Sequence, residues 1–297
     1  MKNVVVFGTL PPPIGGVTIS VKNVVTALRS VGVDVQMFSL SSLLSIRRFD
    51  ISHINYSKKW KILVALLISK LISKHSVFVI HGNDFCQRNI INKISLKLAD
   101  TIIALNQQVK DRLDLLHPNK VLIHSPLYKE GIDSKDTSFD NNYTLDDVDK
   151  VTLLIYINDR VYIESNDVYG LPFFIENLEE KFHAVILDIK GLYKDEIKDF
   201  SSITYIDRPV DFIELLKKVD IYVRPTSNDG SSVAILEAIS QGVKVLASDV
   251  VDRPDGIETY SYNDAENYRE KLNKLAVSNN NNPCLKLTSI HDLIDLG

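Results

Sequence analysis

RPTSNDGSSVAILEAISQGVKVLASDVVDRPDG, residues 224–256, contains a strand end, a polar loop, a helix and a second strand. The apolar strand ends at Arg224, glycine and serines follow, and the helical stretch leads to another apolar run at 243–248. A strand, a crossover helix and a strand of this kind favour parallel pairing with a right-handed connection. The stretch therefore predicts an α/β fold with a parallel sheet.

The same alternation of strands and helices extends over both halves of the chain. The predicted strands are 3–8, 34–40, 51–56, 76–82, 100–106, 120–125, 151–157, 183–189, 202–207, 220–225 and 243–248. The predicted helices are 17–32, 58–74, 89–98, 107–116, 170–181, 210–218 and 232–241. Short β-branched strands that alternate with amphipathic helices are typical of Rossmann-like domains.

A polar, acidic segment at 129–150 separates the two series and indicates a linker. It divides the chain into two predicted Rossmann-like domains, 1–140 and 150–284. A short helix within 285–297 is expected to pack back on the first domain. The carboxyl ends of both sheets would then face each other across a cleft, which is where open α/β sheets bind ligands.

The composition is that of an ordinary globular protein, with 45% hydrophobic and 24% charged residues. A formal net charge of −4 gives no strongly basic face and argues against nucleic acid as a partner. Cys86 and Cys284 lie far apart without metal-ligand spacing, which predicts a reducing cytoplasm and no disulfide. The first apolar run breaks at Gly8 and is too short for a signal peptide.

The stretch KKWKILVALLISKLISKH, residues 58–75, raises the question of membrane contact. Its longest uncharged run, Ile62 to Ser69, is far shorter than the roughly 20 residues that span a bilayer. Apolar residues cover most of the helix circumference, which favours a buried helix. The alternative is a peripheral helix that rests on anionic lipid through its lysines, Lys58, Lys59, Lys61, Lys70 and Lys74.

Candidate binding residues follow the predicted strand ends. Gly15 and Gly16 open the first helix, where backbone N–H groups can approach an anion or simply form a turn. Their spacing is not G-x-G-x-x-G, so the dinucleotide fingerprint is absent. His81 could position a ligand, act as a base or be a structural polar group. Arg160 could neutralise a leaving phosphate or lie at the surface.

Asp229, Gly230, Ser231 and Ser232 come directly before the helix of the 224–256 stretch. Amide N–H groups and the positive end of the helix would face the strand ends there. Glu237 follows eight residues after Asp229, in an otherwise apolar helix. Carboxylates accept hydrogen bonds from paired hydroxyls, so the two acids could hold ribose and a sugar. The alternative is an N-cap, at Asp229 or Ser231, followed by a solvent-facing glutamate.

The segment DGSSVAILEAISQGVKVLASDV resembles the E-x7-E region of retaining glycosyltransferases with the GT-B fold. Asp229 stands at the position of the first glutamate. The wider stretch is similar to a bacterial group associated with surface polysaccharide assembly, and the glycine pair at 15–16, His81 and the two-domain layout match as well. The resemblance covers nearly the full chain, although only 224–256 is specific.

The resemblance implies roles for the residues after the second-half strands. Glu237 would hold the nucleotide ribose, and Asp229 would face the donor sugar together with the amides of Gly230, Ser231 and Ser232. These are the residues of the predicted nucleotide-sugar domain.

The resemblance also implies a leaving-group site and contacts from the first domain. Arg160 matches an arginine that stabilises the diphosphate, but its usual lysine partner is replaced by Ser165. Arg224 or Arg253 could supply the missing charge. In the first domain, on the acceptor side, Gly15 and Gly16 would approach the diphosphate and donor, and His81 the donor sugar.

The implied reaction is a metal-independent transfer from a nucleotide diphosphate sugar, with retention at the anomeric carbon and without a cofactor. The expected acceptor is a glycan or lipid-linked sugar of capsule, O-antigen or another exported glycan, at the inner face of the cytoplasmic membrane. The alternative is a catalytically silent subunit of the same fold that partners a true transferase, which the changes at Asp229 and Ser165 favour. A sugar-nucleotide epimerase is a third reading, and loss of turnover in Glu237→Ala would separate the first two.

Overall fold

The structure of the chain is a computed structural model. It describes residues 2–39, 48–81, 89–114, 121–130, 143, 145, 149–197, 202–230, 232–278 and 287–296. Contacts divide the chain into two compact units, Met1–Ser134 with Lys286–Gly297, and Lys135–Leu285. Most of the predicted linker at 129–150 lies outside the described residues, as do both cysteines.

The first unit contains a parallel six-stranded sheet. Its strands are β1 (Asn3–Phe7), β2 (Asp34–Met37), β3 (Phe49–Ile54), β4 (Ser73–Ile80), β5 (Thr101–Ala104) and β6 (Val121–Ile123). They lie in the order β2-β1-β3-β4-β5-β6, and each neighbouring pair is parallel. The central strands are continuous buried runs such as Val4–Phe7, the pattern of a parallel sheet covered on both faces.

Helices cover both faces of the first sheet. They are α1 (Gly16–Ser30), α2 (Lys59–Ile72), α3 (Ile90–Leu98) and α4 (Gln107–Asp114). Val21 and Val24 of α1 pack on one face. The other three helices contribute Leu66, Leu96 and Leu113 to the opposite face.

Helix α2 is buried on one side only, so the prediction of a buried helix is wrong for its outer side. The buried residues are Ile62, Ala65, Leu66 and Ser69. The exposed ones are Trp60, Val64, Leu67 and Leu71. The sequence shows apolar residues around the whole circumference of α2, but it does not show whether another helix or strand packs against the outer side of α2. Among the described helices, none combines the length and the apolar character that crossing a bilayer requires.

The second unit contains another parallel six-stranded sheet. The strands of this sheet are β7 (Val151–Ile157), β10 (Phe182–Asp188), β11 (Ile203–Ile206), β12 (Ile221–Arg224), β13 (Lys244–Ser248) and β14 (Glu258–Tyr260). Two short strands outside the sheet are β8 (Tyr162–Ile163) and β9 (Asn166–Asp167). Its helices are α5 (Leu171–Glu176), α6 (Phe212–Leu216), α7 (Val233–Ser240) and α8 (Ala265–Val277). The sheet order is β11-β10-β7-β12-β13-β14, with β8 and β9 forming a separate antiparallel hairpin.

Several elements of the second unit differ from the sequence prediction. The helix predicted over 170–181 ends at Glu176, where the N–H of Asn177 bonds to the carbonyl oxygens of Phe173 and Phe174. Strand β14, helix α8 and the β8–β9 hairpin were not predicted. Helix α8 buries only Tyr268 and Leu272 completely, so its apolar periodicity is weak.

The last helix, α9 (Ile290–Ile294), belongs to the first unit. Ile290 and Leu293 are fully buried beside Val4 and Val6 of β1. Glu130 accepts hydrogen bonds from the Ser289 hydroxyl and the Ile290 N–H, both at 2.8 Å. The carboxyl-terminal helix is therefore part of the same core as the amino-terminal strand.

Candidate functional site

The strand order of the second sheet creates a switch point between β7 and β12. From β7 the sheet continues through β10 and β11 in one direction, and from β12 through β13 and β14 in the other. Open α/β sheets bind ligands at the carboxyl ends of the strands on either side of such a point. Arg160 follows β7 and Asp229 follows β12, so both predicted residues belong to this edge.

Backbone contacts hold the two loops at the switch point against each other. The Ser227 N–H donates to the Val168 carbonyl oxygen at 3.1 Å. Gly170, just before α5, has a φ of +69°, and a Cβ on it would lie 1.9 Å from the carbonyl oxygen of Pro225. Only glycine fits both the left-handed backbone and this close approach. The loop after β12 is thereby fixed against the loop after β7.

Asp229 lies between two arginines. Arg224 donates to its carboxylate from Nε at 3.1 Å and from Nη2 at 3.0 Å, and Arg253 donates from Nη1 at 2.7 Å. The exposed side-chain fractions are 13% for Arg224, 7% for Asp229 and 4% for Arg253. We call these three residues the arginine cluster.

The arginine cluster carries a net positive charge. Burial alone would raise the pKa of Asp229, but the charges and hydrogen bonds of Arg224 and Arg253 hold that pKa well below its usual range. The cluster contains one carboxylate and two guanidinium groups, so its three side chains sum to one positive charge. A cluster with more positive than negative charge attracts anions, so an anion is the ligand that it would accept.

Helix α7 begins directly after the loop that holds Asp229. Its N-cap is Ser232 rather than Asp229, and the Ser232 hydroxyl accepts from the Ile235 N–H at 3.4 Å. The Gly230 N–H donates to Asp229 Oδ1 at 2.9 Å. Ser231 lies outside the described residues. The positive end of the helix dipole and the net charge of the arginine cluster have the same sign, so both attract an anion.

Glu237 lies in the second turn of α7. Its side chain is half-buried, while Leu236 and Ala238 on either side of it are buried. Burial, with smaller contributions from nearby charges that include Glu237, raises the pKa of Tyr222 to about 12. Glu237 is therefore close to the end of β12, on the same loop–helix unit as Asp229.

Arg160 is paired away from the arginine cluster. Its Nη1 lies 2.5 Å from Glu196 Oε1, and its Nε donates to the Tyr162 hydroxyl at 3.0 Å. Its guanidinium also lies 4.6 Å from the ring centroid of Tyr193. Ser165, at the position of the usual lysine, has a φ of +68° in the turn between β8 and β9. The structure thus gathers Asp229, Gly230, Ser232 and Glu237 in one unit of chain, whereas Arg160 is held by separate partners.

The first sheet has its own switch point, between β1 and β3. Gly15, in an extended conformation, is the N-cap of α1, and Gly16 is its first residue. A Cβ on Gly16 would meet no atom within 4 Å, so the space beside it is open. The glycine pair thus places uncapped N–H groups of α1 at the carboxyl end of β1.

A chain of hydrogen bonds holds His81 at the end of β4. Its Nε2 lies 3.0 Å from Asn55 Oδ1, and Asn55 Nδ2 lies 2.6 Å from His53 Nδ1. An amide oxygen only accepts, so His81 donates from Nε2 and keeps its lone pair on Nδ1. Burial lowers the pKa of His81 to about 4. Burial, assisted by the neighbouring His124 and His81, lowers the pKa of His53 to about 3, so both rings are neutral at pH 7.

No protein-family model matches the sequence, and no curated protein matches it. Solved structures do. HepE from Anabaena, in complex with UDP-glucose, aligns over 92% of this chain and 89% of its own, with a TM-score of 0.63 and 11% identity. Sucrose-phosphate synthase from Thermosynechococcus elongatus aligns over 93% and 90%, with a TM-score of 0.63 and 13% identity.

A third neighbour is the catalytic domain of starch synthase IV from Arabidopsis thaliana, bound to ADP and acarbose. It aligns over 94% of this chain and 93% of its own, with a TM-score of 0.61 and 10% identity. The chain has the GT-B fold. The predicted α/β class with two parallel Rossmann-like sheets is confirmed.

Two features of the site were not predicted from the sequence. Asn55, which connects His53 to His81, is a fully buried polar residue just after a strand, and that pattern was the available signal. The pairing of Asp229 with both Arg224 and Arg253 was also missed. The five-residue spacing to Arg224 was visible, but the contact with Arg253 depends on how β13 lies beside β12.

Proposed function

We propose that the chain is a retaining glycosyltransferase that moves a sugar from a nucleotide diphosphate sugar to a glycan or lipid-linked acceptor. The observation that carries this proposal is the arginine cluster, with its buried excess positive charge next to the N-terminus of α7, at the switch point of a GT-B sheet. The retaining course, and a place in bacterial surface-polysaccharide synthesis such as capsule or O-antigen, rest on the motif at 224–256.

Arg224 is the member of the arginine cluster that we assign to the diphosphate. Arg253 donates from Nε to the Ser248 carbonyl oxygen, from Nη1 to Asp229, and from Nη2 to the hydroxyls of Thr226 and Ser248. All its nitrogens are thus used within the protein. Arg224 uses Nε and Nη2 on Asp229, which leaves Nη1 as the nitrogen that we assign to a phosphate oxygen.

The charge of the arginine cluster fits the step in which the diphosphate leaves. As the bond between the anomeric carbon and the diphosphate oxygen breaks, the electron pair stays on the diphosphate. A guanidinium and helix amides that are already in place stabilise this growing charge. The acceptor oxygen forms the new bond to the anomeric carbon on the same face, and its proton passes to the departing phosphate oxygen. Metal independence and the absence of a cofactor belong to this proposal.

The remaining predicted residues keep narrower proposed roles. Glu237 accepts hydrogen bonds from the two ribose hydroxyls, and the Ser232 amide faces the donor sugar; the Gly230 amide would do so only after release from Asp229 Oδ1. In place of a sugar-facing role, we assign to Asp229 the positioning of Arg224, because both carboxylate oxygens are bonded to arginines. Arg160 contributes to the diphosphate only after release from Glu196.

The first unit contributes three further proposed contacts. Gly15, Gly16 and His81 retain the donor-side roles that the resemblance implies. The lone pair on Nδ1 of His81 would then accept a hydrogen bond from a sugar hydroxyl. Replacement of Asn55 by Leu is expected to weaken this role by removing the partner of His81 Nε2.

A catalytically silent nucleotide-sugar-binding subunit is the second candidate function. It is favoured by Ser165, which lies in a tight hairpin turn. The family's lysine at this position would place a positive charge near the diphosphate, and serine cannot. It is also favoured by the engagement of Asp229 with two arginines. Such a subunit would bind nucleotide sugars through the same arginine cluster and release no nucleoside diphosphate.

A turnover assay on the purified chain tests the proposal. Nucleoside diphosphate release from UDP-, ADP- and GDP-linked sugars is measured with and without membrane extract as the source of acceptor. The proposal expects release from at least one donor, stimulated by the extract and abolished in Glu237→Ala. Glu176→Ala, which changes an exposed glutamate of α5, is the matched control. Binding without release would favour the silent subunit, and neither binding nor release would refute both.

A further inference from the structure

An uncovered apolar surface runs along the outside of α2 and α3. On α2 the stripe consists of Trp60, Val64, Leu67 and Leu71, at the spacing of one helix face. On α3 it continues with Ile90 and Ile94, and the two helices contact each other. The exposed fractions reach 59% for Trp60 and 74% for both Leu71 and Ile90. We call these six residues the α2–α3 surface.

The two helices of the α2–α3 surface carry only basic charges. Neither KWKILVALLISKLI nor IINKISLKL contains an acidic residue, although the whole chain carries a net charge of −4. Lys70 and Lys74 are paired with Asp100 and Asp50, both at 2.7 Å. The other lysines of this region have no ion-pair partner among the residues that the structure describes, namely Lys58, Lys59, Lys61, Lys93 and Lys97.

A small apolar cavity opens at the start of the stripe. It measures about 190 Å³, and the residues that line it include Phe7, Phe38, Trp60 and Lys61. Phe7 and Phe38 stack at its base with ring centroids 4.3 Å apart. The ammonium of Lys61 lies 5.8 Å from the Trp60 ring centroid. Sites for whole small molecules usually span about 300–1,000 Å³, so this cavity suits one apolar chain segment beside a cationic rim.

We propose that the α2–α3 surface binds the surface of an anionic lipid bilayer, with the cavity at Trp60 admitting part of an acyl chain. An apolar stripe with a tryptophan and a lysine rim is the arrangement that inserts at the boundary of headgroups and acyl chains. Basic residues are attracted to anionic headgroups. A second copy of this chain would bring lysines against lysines, so the charge disfavours self-association through this surface.

This inference does not depend on the proposed function, because lipid binding can be measured without a sugar donor. It extends that function in one respect, since it would place the first unit next to lipid-linked acceptors. Failure of lipid binding would leave the nucleotide-sugar proposal standing. Failure of nucleotide binding would leave the lipid inference standing.

Trp60 provides a direct probe, because it is the only tryptophan of the chain. The full chain is titrated with vesicles of equal parts phosphatidylglycerol and phosphatidylcholine, and with vesicles of phosphatidylcholine alone. We expect a blue shift of Trp60 emission with the anionic vesicles, reversed by high salt, and little change with neutral ones. Flotation of the same mixtures gives the bound fraction independently.

Two variants separate the apolar and charged contributions. Leu67→Gln with Leu71→Gln changes two exposed side chains, so the fold should persist, and binding to anionic vesicles should fall about tenfold or more. Lys58→Gln with Lys59→Gln should weaken binding roughly 25-fold, at about fivefold for each lysine. Val277→Gln is the matched control, since Val277 is 83% exposed in the second unit, and it should bind as wild type.

Three results would overturn the inference. One is the absence of any Trp60 shift and of flotation with anionic vesicles at low salt. Another is wild-type binding by both double variants. The third is a dimer in light scattering that becomes a monomer in Leu67→Gln with Leu71→Gln, which would assign this surface to a second copy of the chain.

Discussion

Replacement of Gly170 by alanine perturbs the contact that fixes the two loops of the candidate site. Gly170 has a φ of +69°, and the added Cβ would lie 1.9 Å from the Pro225 carbonyl oxygen and 2.8 Å from the Pro225 carbonyl carbon. Both neighbours are backbone atoms, so no side chain can rotate away. The loop from Pro225 to Asp229 has to move if the alanine is to fit.

The expected loss of stability has two parts. A non-glycine residue in the left-handed region costs about 1–2 kcal/mol. The forced displacement of the Pro225 backbone adds roughly 1–3 kcal/mol, as overpacking does in a core. We therefore expect Gly170→Ala to lower the free energy of unfolding of the second unit by about 3 kcal/mol.

Gly242→Ala is the control within the same unit. Gly242 has nearly the same φ, +74°, but a Cβ there would meet no atom within 4 Å. This variant should lose only the backbone part, about 1–2 kcal/mol. Urea unfolding followed by circular dichroism compares the two, and a difference of about 2 kcal/mol corresponds to roughly 1 M in the midpoint.

Gly170→Ala should also weaken nucleoside diphosphate binding, because Arg224 and Asp229 flank the displaced segment. Gly242→Ala should leave that affinity unchanged. Equal stability losses in the two variants would refute the close approach of Gly170 to Pro225. A normal nucleotide affinity in a destabilised Gly170→Ala would show that this contact does not position the site.

Three further predictions concern buried ionisable side chains. Asp229→Asn should cost about 3–5 kcal/mol of stability, measured by urea unfolding, because it leaves two buried guanidinium groups without their carboxylate; the affinity for nucleoside diphosphates should also fall, because Asp229 positions Arg224, and an unchanged affinity would contradict that role. Arg253→Met should lower both stability and nucleotide affinity, whereas Lys274→Met, which changes an exposed lysine, should change neither. His53 has a folded pKa of about 3 against 6.5 when unfolded, so below pH 6.5 the unfolded chain takes up a proton that the folded chain does not. The free energy of unfolding is therefore unaffected by this residue above pH 6.5 and falls as the pH is lowered, by about 2 kcal/mol at pH 5. His53→Gln should flatten that part of the pH profile of unfolding, and an unchanged profile would contradict the burial of a neutral ring.

The two sheets could be predicted because each strand is recognisable from its own residues, without knowledge of its neighbours in the fold. Runs such as Val4–Phe7 and Val151–Ile157 are β-branched and apolar over their whole length, as strands buried on both faces must be. Helix α8 could not be found in this way, since most of its surface is charged and only two residues are fully buried. The strands β8 and β9 have two residues each, which is too short for any periodicity.

The position of the candidate site could be predicted from the sequence, but the contacts between its residues could not. Asp229 and Glu237 are recognisable because they lie on one continuous loop and helix. The partner Arg253 lies 24 residues after Asp229 and reaches it only through the parallel pairing of β12 with β13. The exposure of Trp60 was also hidden, because a sequence does not state which helix lacks a covering neighbour.

The arginine cluster is proposed to bind the diphosphate of a nucleotide sugar, and calorimetric titration measures that binding without turnover. Wild type, Arg224→Ala and Arg224→Lys are titrated with UDP, ADP and GDP, after circular dichroism shows that each variant is folded. We expect wild type to bind at least one of these with a Kd well below about 1 mM, Arg224→Ala to bind it tenfold or more weakly, and Arg224→Lys to fall between them. If no nucleoside diphosphate binds to wild type, or a folded Arg224→Ala binds as tightly as wild type, the claim is contradicted.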